Sequence, residues 1–129
     1  WDKMLALDGN TAPYLMYTYA RCRSIQRKGG VEEPLVDGTA PVESHERDLA
    51  MALLRFPEAV KLTINNSRPN MLCDYLYSLA SVFNRFYYEM PVLKATQEIK
   101  NRRLSLVEAT ARVMGKGLDL LGVKTLERM

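Results

Sequence analysis

Asn70-Met-Leu-Cys-Asp-Tyr-Leu-Tyr-Ser-Leu-Ala-Ser-Val-Phe-Asn-Arg-Phe-Tyr-Tyr-Glu-Met90 is the stretch that decides the fold. Leu72, Leu76, Leu79, Phe83, Phe86 and Met90 recur at alternating four- and three-residue steps, so on a helix they share one side. Such a stripe is the seam along which a helix packs against other helices. Pro69 lies before it, where a missing N–H costs nothing, and Pro91 after it pushes the preceding residue out of the helical region. The spacing therefore predicts a long helix over Asn70 to Glu89. Leu104, Val107, Ala111, Met114, Leu118 and Leu121 repeat the pattern. They predict a last helix from about Asn101 into the Gly115-Lys116-Gly117 region or on to Leu121, with Gly122 as its stop.

Upstream the signals are local. A first helix is expected from near Thr11, with Asn10 or Thr11 as cap, Pro13 in the first turn and Gly29-Gly30 as terminator. Val31 to Val42 contains Pro34, Gly38 and Pro41 and reads as a loop. A second helix is expected over Ser44 to Arg55, and a third opened by Pro57 and ending near Asn65-Asn66. No stretch sustains the two-residue alternation of a strand. The fold class is all-α, a bundle of about five helices, and 129 residues suit one domain.

The apolar runs are too short for a membrane helix, and no basic stretch followed by an apolar run opens the chain. The first residue is Trp1 rather than Met, which suggests a piece of something longer. Cys22 and Cys73 both fall in apolar helical patterns without a second Cys or a His at metal-ligand spacing. They are expected to be buried free thiols, in keeping with a reducing, cytoplasmic compartment.

Little here suggests catalysis. The single histidine, His45, has no nucleophile or ligand partner close in sequence and is expected at the surface. There is no phosphate-binding glycine loop, nucleophile elbow or HExxH pattern. The carboxylates concentrate between Val31 and Asp48, in a stretch that reads as solvated, and the seven methionines follow the apolar stripes.

The charge distribution is more telling than the net charge of +3. From Asn10 to Gly30 there are Arg21, Arg23, Arg27 and Lys28 and no acid, whereas Val31 to Asp48 holds six acids against Arg47. Either the basic helix meets phosphate or its charges pair with the acidic segment. On a helical wheel Tyr14, Tyr17, Arg21, Ser24 and Lys28 share a face, beside an inward face of Leu15, Thr18, Cys22 and Ile25. A tyrosine–arginine stripe suits single-stranded RNA, the rings stacking on unpaired bases and the guanidinium groups meeting phosphates. The alternative places both tyrosines half-buried with their hydroxyls at the rim. On the long helix Asn84 and Tyr87 point away from the seam, and Tyr87 is either a second stacking platform or a helix-packing residue.

Several segments together resemble the C-terminal, DALR-type domain of bacterial-type arginyl-tRNA synthetases, over nearly the whole chain. They are Trp1-Asp-Lys-Met-Leu5, Asp8-Gly-Asn-Thr-Ala-Pro-Tyr-Leu-Met-Tyr17, Leu54-Arg-Phe-Pro-Glu58, Cys73-Asp-Tyr-Leu-Tyr-Ser-Leu-Ala80, Phe83-Asn-Arg-Phe-Tyr87 with Pro91-Val92, Gly117-Leu-Asp-Leu-Leu-Gly122 and Glu127-Arg-Met129. The resemblance implies that residues 1–10 are the junction from a catalytic domain plus the loop before the first helix, and 11–129 the anticodon-binding helical domain. It implies tRNA(Arg) anticodon-loop binding through Gly9, Asn10, Tyr14, Tyr17, Arg21, Arg27, Tyr87 and Met129. It further implies a parent enzyme, arginine–tRNA ligase, that uses ATP and Mg²⁺ in a catalytic domain elsewhere, with no cofactor in this part. Some members carry a tryptophan four residues after the Tyr87 position, where this chain has Pro91. The alternatives are the corresponding domain of another class I synthetase and a helical protein-interaction module.

Overall fold

The computed structural model describes residues 11–30 and 43–122. They form five helices and no strand: α1 (Thr11–Lys28), α2 (Ser44–Leu54), α3 (Phe56–Asn66), α4 (Pro69–Glu89) and α5 (Gln97–Leu120). The expected loop over residues 31–42 lies outside the described residues.

The central helix is α4, which packs on each of the other four. Its seam residues Leu72, Leu76, Leu79, Phe83 and Phe86 are buried, and Met90 is partly so. From α5 they meet Leu104, Val107, Ala111, Met114 and Leu118, from α1 Leu15, Cys22 and Ile25, and from α2 Leu49. Both cysteines are free and buried. Burial pushes the Cys22 thiol well above its ordinary range, because a thiolate there would be cut off from water.

The last helix starts about one turn earlier than expected, with Thr96 at its N-cap. Its first turn, Gln97 to Lys100, carries none of the seam residues, so the apolar period could not register it. It also runs through Gly115 and Gly117, as the longer of the two expected endings requires. A glycine inside a helix costs roughly 0.5–1 kcal/mol relative to alanine, and close packing explains both. A Cβ on Gly117 would stand 2.7 Å from the Leu76 methyl carbons, and one on Gly115 would stand 2.9 Å from the Tyr19 ring. These glycines let α5 close onto α4 and α1.

At the α2–α3 corner Arg55 is at once the C-cap of one helix and the N-cap of the next. The Tyr75 hydroxyl donates to the Ala52 carbonyl at 2.6 Å, tying the corner to α4. Burial raises the Tyr75 phenol to about 12, against the opposing pull of nearby Arg55. Between α3 and α4 the chain turns through Ser67 in the left-handed region, φ 52°, while the Ser67 and Arg68 N–H groups donate to the Ile64 and Thr63 carbonyls.

One expectation about charge is corrected. Glu46, in the stretch read as solvated, is fully buried. Arg102 donates to it through Nε (3.0 Å) and Nη2 (3.1 Å), and Arg103 through Nε (2.7 Å). Glu46 occupies the third position of α2, where its Oε1 also accepts from the Glu43 N–H. The carboxylate is buried because two guanidinium groups of α5 reach it, and Arg103 spends a further N–H on the Pro91 carbonyl. This bond to Glu46 holds the guanidinium of Arg102 charged even more firmly than usual. A second buried carboxylate, Glu108, accepts from Gln26, Arg23 and Arg112, clamping α1 to α5.

Candidate nucleic-acid interface

The basic first helix meets an acid of α5 at Arg23. Glu46, the buried acid of the following segment, pairs with α5, and Arg23 of α1 pairs with Glu108 of α5 at 3.4 Å. What α1 turns toward α4 is the tyrosine–arginine stripe. Leu15, Thr18, Cys22 and Ile25 are buried, so the inward face is the expected one. That leaves Tyr17 51% exposed, enough of its ring to receive a flat partner.

Tyr14 is half-buried, and its ring lies 5.2 Å from that of Tyr77 on α4, at 47°. The Arg21 guanidinium lies over the Tyr87 ring with Cζ 4.8 Å from its centroid. Tyr87 in turn is nearly parallel to Phe83, at 8° and 6.3 Å, so the buried seam of α4 supports it from behind. Asn84 stands between these pairs. Its Nδ2 donates to the Tyr14 hydroxyl at 3.0 Å and approaches Thr18 Oγ1 at 3.4 Å, and its Oδ1 accepts from Arg21 Nη1 at 3.2 Å.

Of the residues singled out from sequence, Tyr14, Arg21 and Tyr87 are thus brought into one cluster, with Tyr17 next to it on α1. The two tyrosines differ in exposure: Tyr17 is open, and Tyr14 is half-buried. Arg27 is exposed in the last turn of α1, off the helical spacing that links Tyr17, Ser24 and Lys28. Gly9, Asn10 and Met129 lie outside the described residues. Sequence reading passed over Tyr77, which is 49% exposed. The signal was present, since Tyr77 is seven residues before Asn84 and so lies on its side of α4.

His45 is half-buried rather than at the open surface, lining a shallow pocket with Asp48, Arg55 and Arg85. Among the described residues there is no group of three or more His, Cys, Asp or Glu side chains placed to hold a metal ion. No helix of the described residues is long and apolar enough to cross a membrane.

An all-α bundle with an aromatic–basic seam between its first and fourth helices defines a class of helical binding domain. A family model described as the DALR anticodon binding domain matches residues 15–129, and the chain belongs to that family. Over its whole length it is 45% identical to the arginine–tRNA ligase of Haemophilus ducreyi and 47% identical to that of Synechocystis sp.. It spans 23% and 22% of those two relatives. Its fold is similar to part of the arginyl-tRNA synthetase of Thermus thermophilus, with a TM-score of 0.80, 38% identity, and cover of 91% of this chain and 21% of that one. It is similar also to part of the arginyl-tRNA synthetase of Plasmodium falciparum, with a TM-score of 0.75, 28% identity, and cover of 99% and 23%.

Proposed function

We propose that this chain recognises the anticodon loop of tRNA(Arg) as the C-terminal domain of an arginine–tRNA ligase. The observation that carries the reading is the cluster of Tyr14, Tyr17 and Arg21 on α1 with Tyr77, Asn84 and Tyr87 on α4, all on a domain of the anticodon-binding family. Unpaired loop bases stack on the exposed tyrosine ring and on the Arg21–Tyr87 pair, because every base offers a π face and the guanidinium adds charge. Arg27 adds positive charge in the last turn of α1, and Tyr17 the most open ring of the cluster. Gly9, Asn10 and Met129 are further contacts of the RNA in this reading, carried by the resemblance to the family alone. Arginine anticodons share a central cytosine, the base such a site specifies.

In this reading residues 1–10 join the helical domain, 11–129, to a catalytic domain of the same chain. That domain uses ATP and Mg²⁺ to arginylate the acceptor end, and the protein works in the cytoplasm. No residue of the present chain takes part in the chemistry.

The test is an affinity titration with an arginine anticodon stem-loop beside one whose central cytosine is replaced, over several salt concentrations. Tyr17→Ala should cost about 1–3 kcal/mol with little salt dependence, as loss of a stacked base does. Arg21→Ala should lower the magnitude of the log–log salt slope by about 1 if it meets a phosphate. Equal affinity for both loops, or unchanged affinity in both variants with the fold intact, would remove this face as the binding surface.

A further inference from the structure

The hydrogen bonds around Asn84 have a direction that stacking alone does not use. An arginine side chain has donors only. Arg21 Nη1 lies 3.2 Å from the Asn84 side chain, so the amide must turn its oxygen toward Arg21. Its nitrogen then faces Tyr14 and Thr18, and the Tyr14 hydroxyl oxygen, 3.0 Å away, is an acceptor in that bond. The Thr18 hydroxyl is likewise committed, donating to the Tyr14 carbonyl at 3.0 Å and leaving only its lone pairs for Asn84. The Tyr14 proton therefore has no partner within this cluster and is turned away from Asn84, at the half-buried rim beside Tyr77.

We infer that Asn84 is a positioning residue that makes Tyr14 a hydrogen-bond donor to an acceptor atom of the bound RNA, and holds Arg21 against Tyr87 in the same act. The inference rests on the anticodon-loop reading and deepens it, by assigning Tyr14 a directional role besides that of a ring. The acceptor is an oxygen or ring nitrogen of a base, or a phosphate oxygen. A cytosine O2 or N3 suits it, and so does a non-bridging phosphate oxygen. Arg21 keeps further N–H groups beyond the one bonded to Asn84, so donor and cation present themselves side by side.

The experiment is a double-mutant cycle in the full-length protein carrying this chain, with the stem-loop of the native anticodon and the one with its central cytosine replaced. Tyr14→Phe keeps the ring and removes the donor. It should weaken binding roughly tenfold, the worth of one hydrogen bond to a partner left unsatisfied. Asn84→Asp substitutes a group that only accepts, which draws the Tyr14 proton inward. In that background Tyr14→Phe should change affinity by less than about twofold, because the donor has already been withdrawn. A tenfold factor seen only with the native loop places the acceptor on the central cytosine; the same factor with both loops places it on the backbone or on another base. If Asn84→Asp fails to fold by thermal melt, Asn84→Ala leaves the hydroxyl free to rotate, and the Tyr14→Phe factor should shrink there too. An equal Tyr14→Phe factor in both backgrounds overturns the inference, as does native-like binding by Tyr14→Phe while Tyr17→Ala weakens it. If Tyr17→Ala, Arg21→Ala and Tyr14→Phe all bind as the unaltered protein does, the anticodon-loop reading itself falls.

Discussion

Replacing Glu46 by glutamine tests the least expected part of the fold. The carboxylate is fully buried and receives three N–H bonds from Arg102 and Arg103, at 2.7 to 3.1 Å. Glutamine keeps the size and one acceptor, but it removes the charge and puts a donor where a guanidinium points. Two cations whose side chains are 10% and 8% exposed then lose their buried counter-charge, with Glu43 and Glu98 still acting on Arg102. Removing one partner of a buried pair costs about 3–5 kcal/mol, most of it the penalty of the charge left behind. Arg103 retains the Pro91 carbonyl and both arginines touch the rim, which argues for the lower half of that range. With roughly 4–5 °C lost per kcal/mol in a domain of this size, Tm should fall by about 12–20 °C. Calorimetric or circular-dichroism melts of the folded chain beside Glu89→Gln, an exposed acid expected to change stability by less than about 0.5 kcal/mol, provide the measurement. Replacing all three members of the cluster with leucine and methionine should recover much of the loss, since it is the orphaned charge that costs. A Glu46→Gln loss below about 1 kcal/mol would refute the reasoning.

Two further expectations concern the core and the alkaline limit. Leu79→Ala and Met114→Ala, at 1% and 0% exposure in the middle of their seams, should each destabilise by roughly 2–5 kcal/mol in urea melts, and less than about 1 kcal/mol at both would mean the seams do not carry the core. Stability should decline as pH rises past about 9 and further past 10, because the Cys22 thiol and Tyr75 phenol keep their protons in the fold above the ordinary values of 9.0 and 10.0 at which the unfolded chain releases them. The contribution is complete below those ordinary values and is lost upward through the folded ones, to about 12 for Tyr75, so Tyr75→Phe should flatten that part of the urea-measured pH profile.

The two long seams were legible because packing writes itself into spacing: Leu72 to Met90 and Leu104 to Leu121 carry the period with hardly a break. Termini written in proline and glycine were legible too, at Pro57, Pro69, Gly29 and Gly122. The first turn of α5 was not, since Gln97 to Lys100 lies beyond the end of the seam. Glu46 looked like one more solvated acid because its partners stand 56 and 57 residues away, and burial of a charge depends on partners that local sequence does not name. At the candidate site, local spacing placed Tyr14, Tyr17 and Arg21 on one face, but the union of Arg21 with Asn84 spans 63 residues and Tyr14 with Asn84 spans 70. Tyr77 was not legible from the apolar stripe of α4, because it lies off that stripe and its partner Tyr14 belongs to another helix.

Asn84 sits in sequence between Phe83 and Phe86, both without any solvent exposure, on the helix that packs on every other one. Its backbone cannot part from its neighbours without the interior coming apart, so amide exchange along this part of α4 should proceed only through global unfolding. The part of the surface that α4 contributes would then be rigid and ready-made for a visiting nucleic acid, with little ordering entropy to lose there. At α4, then, residence would depend on how well the incoming loop reshapes itself to a fixed partner.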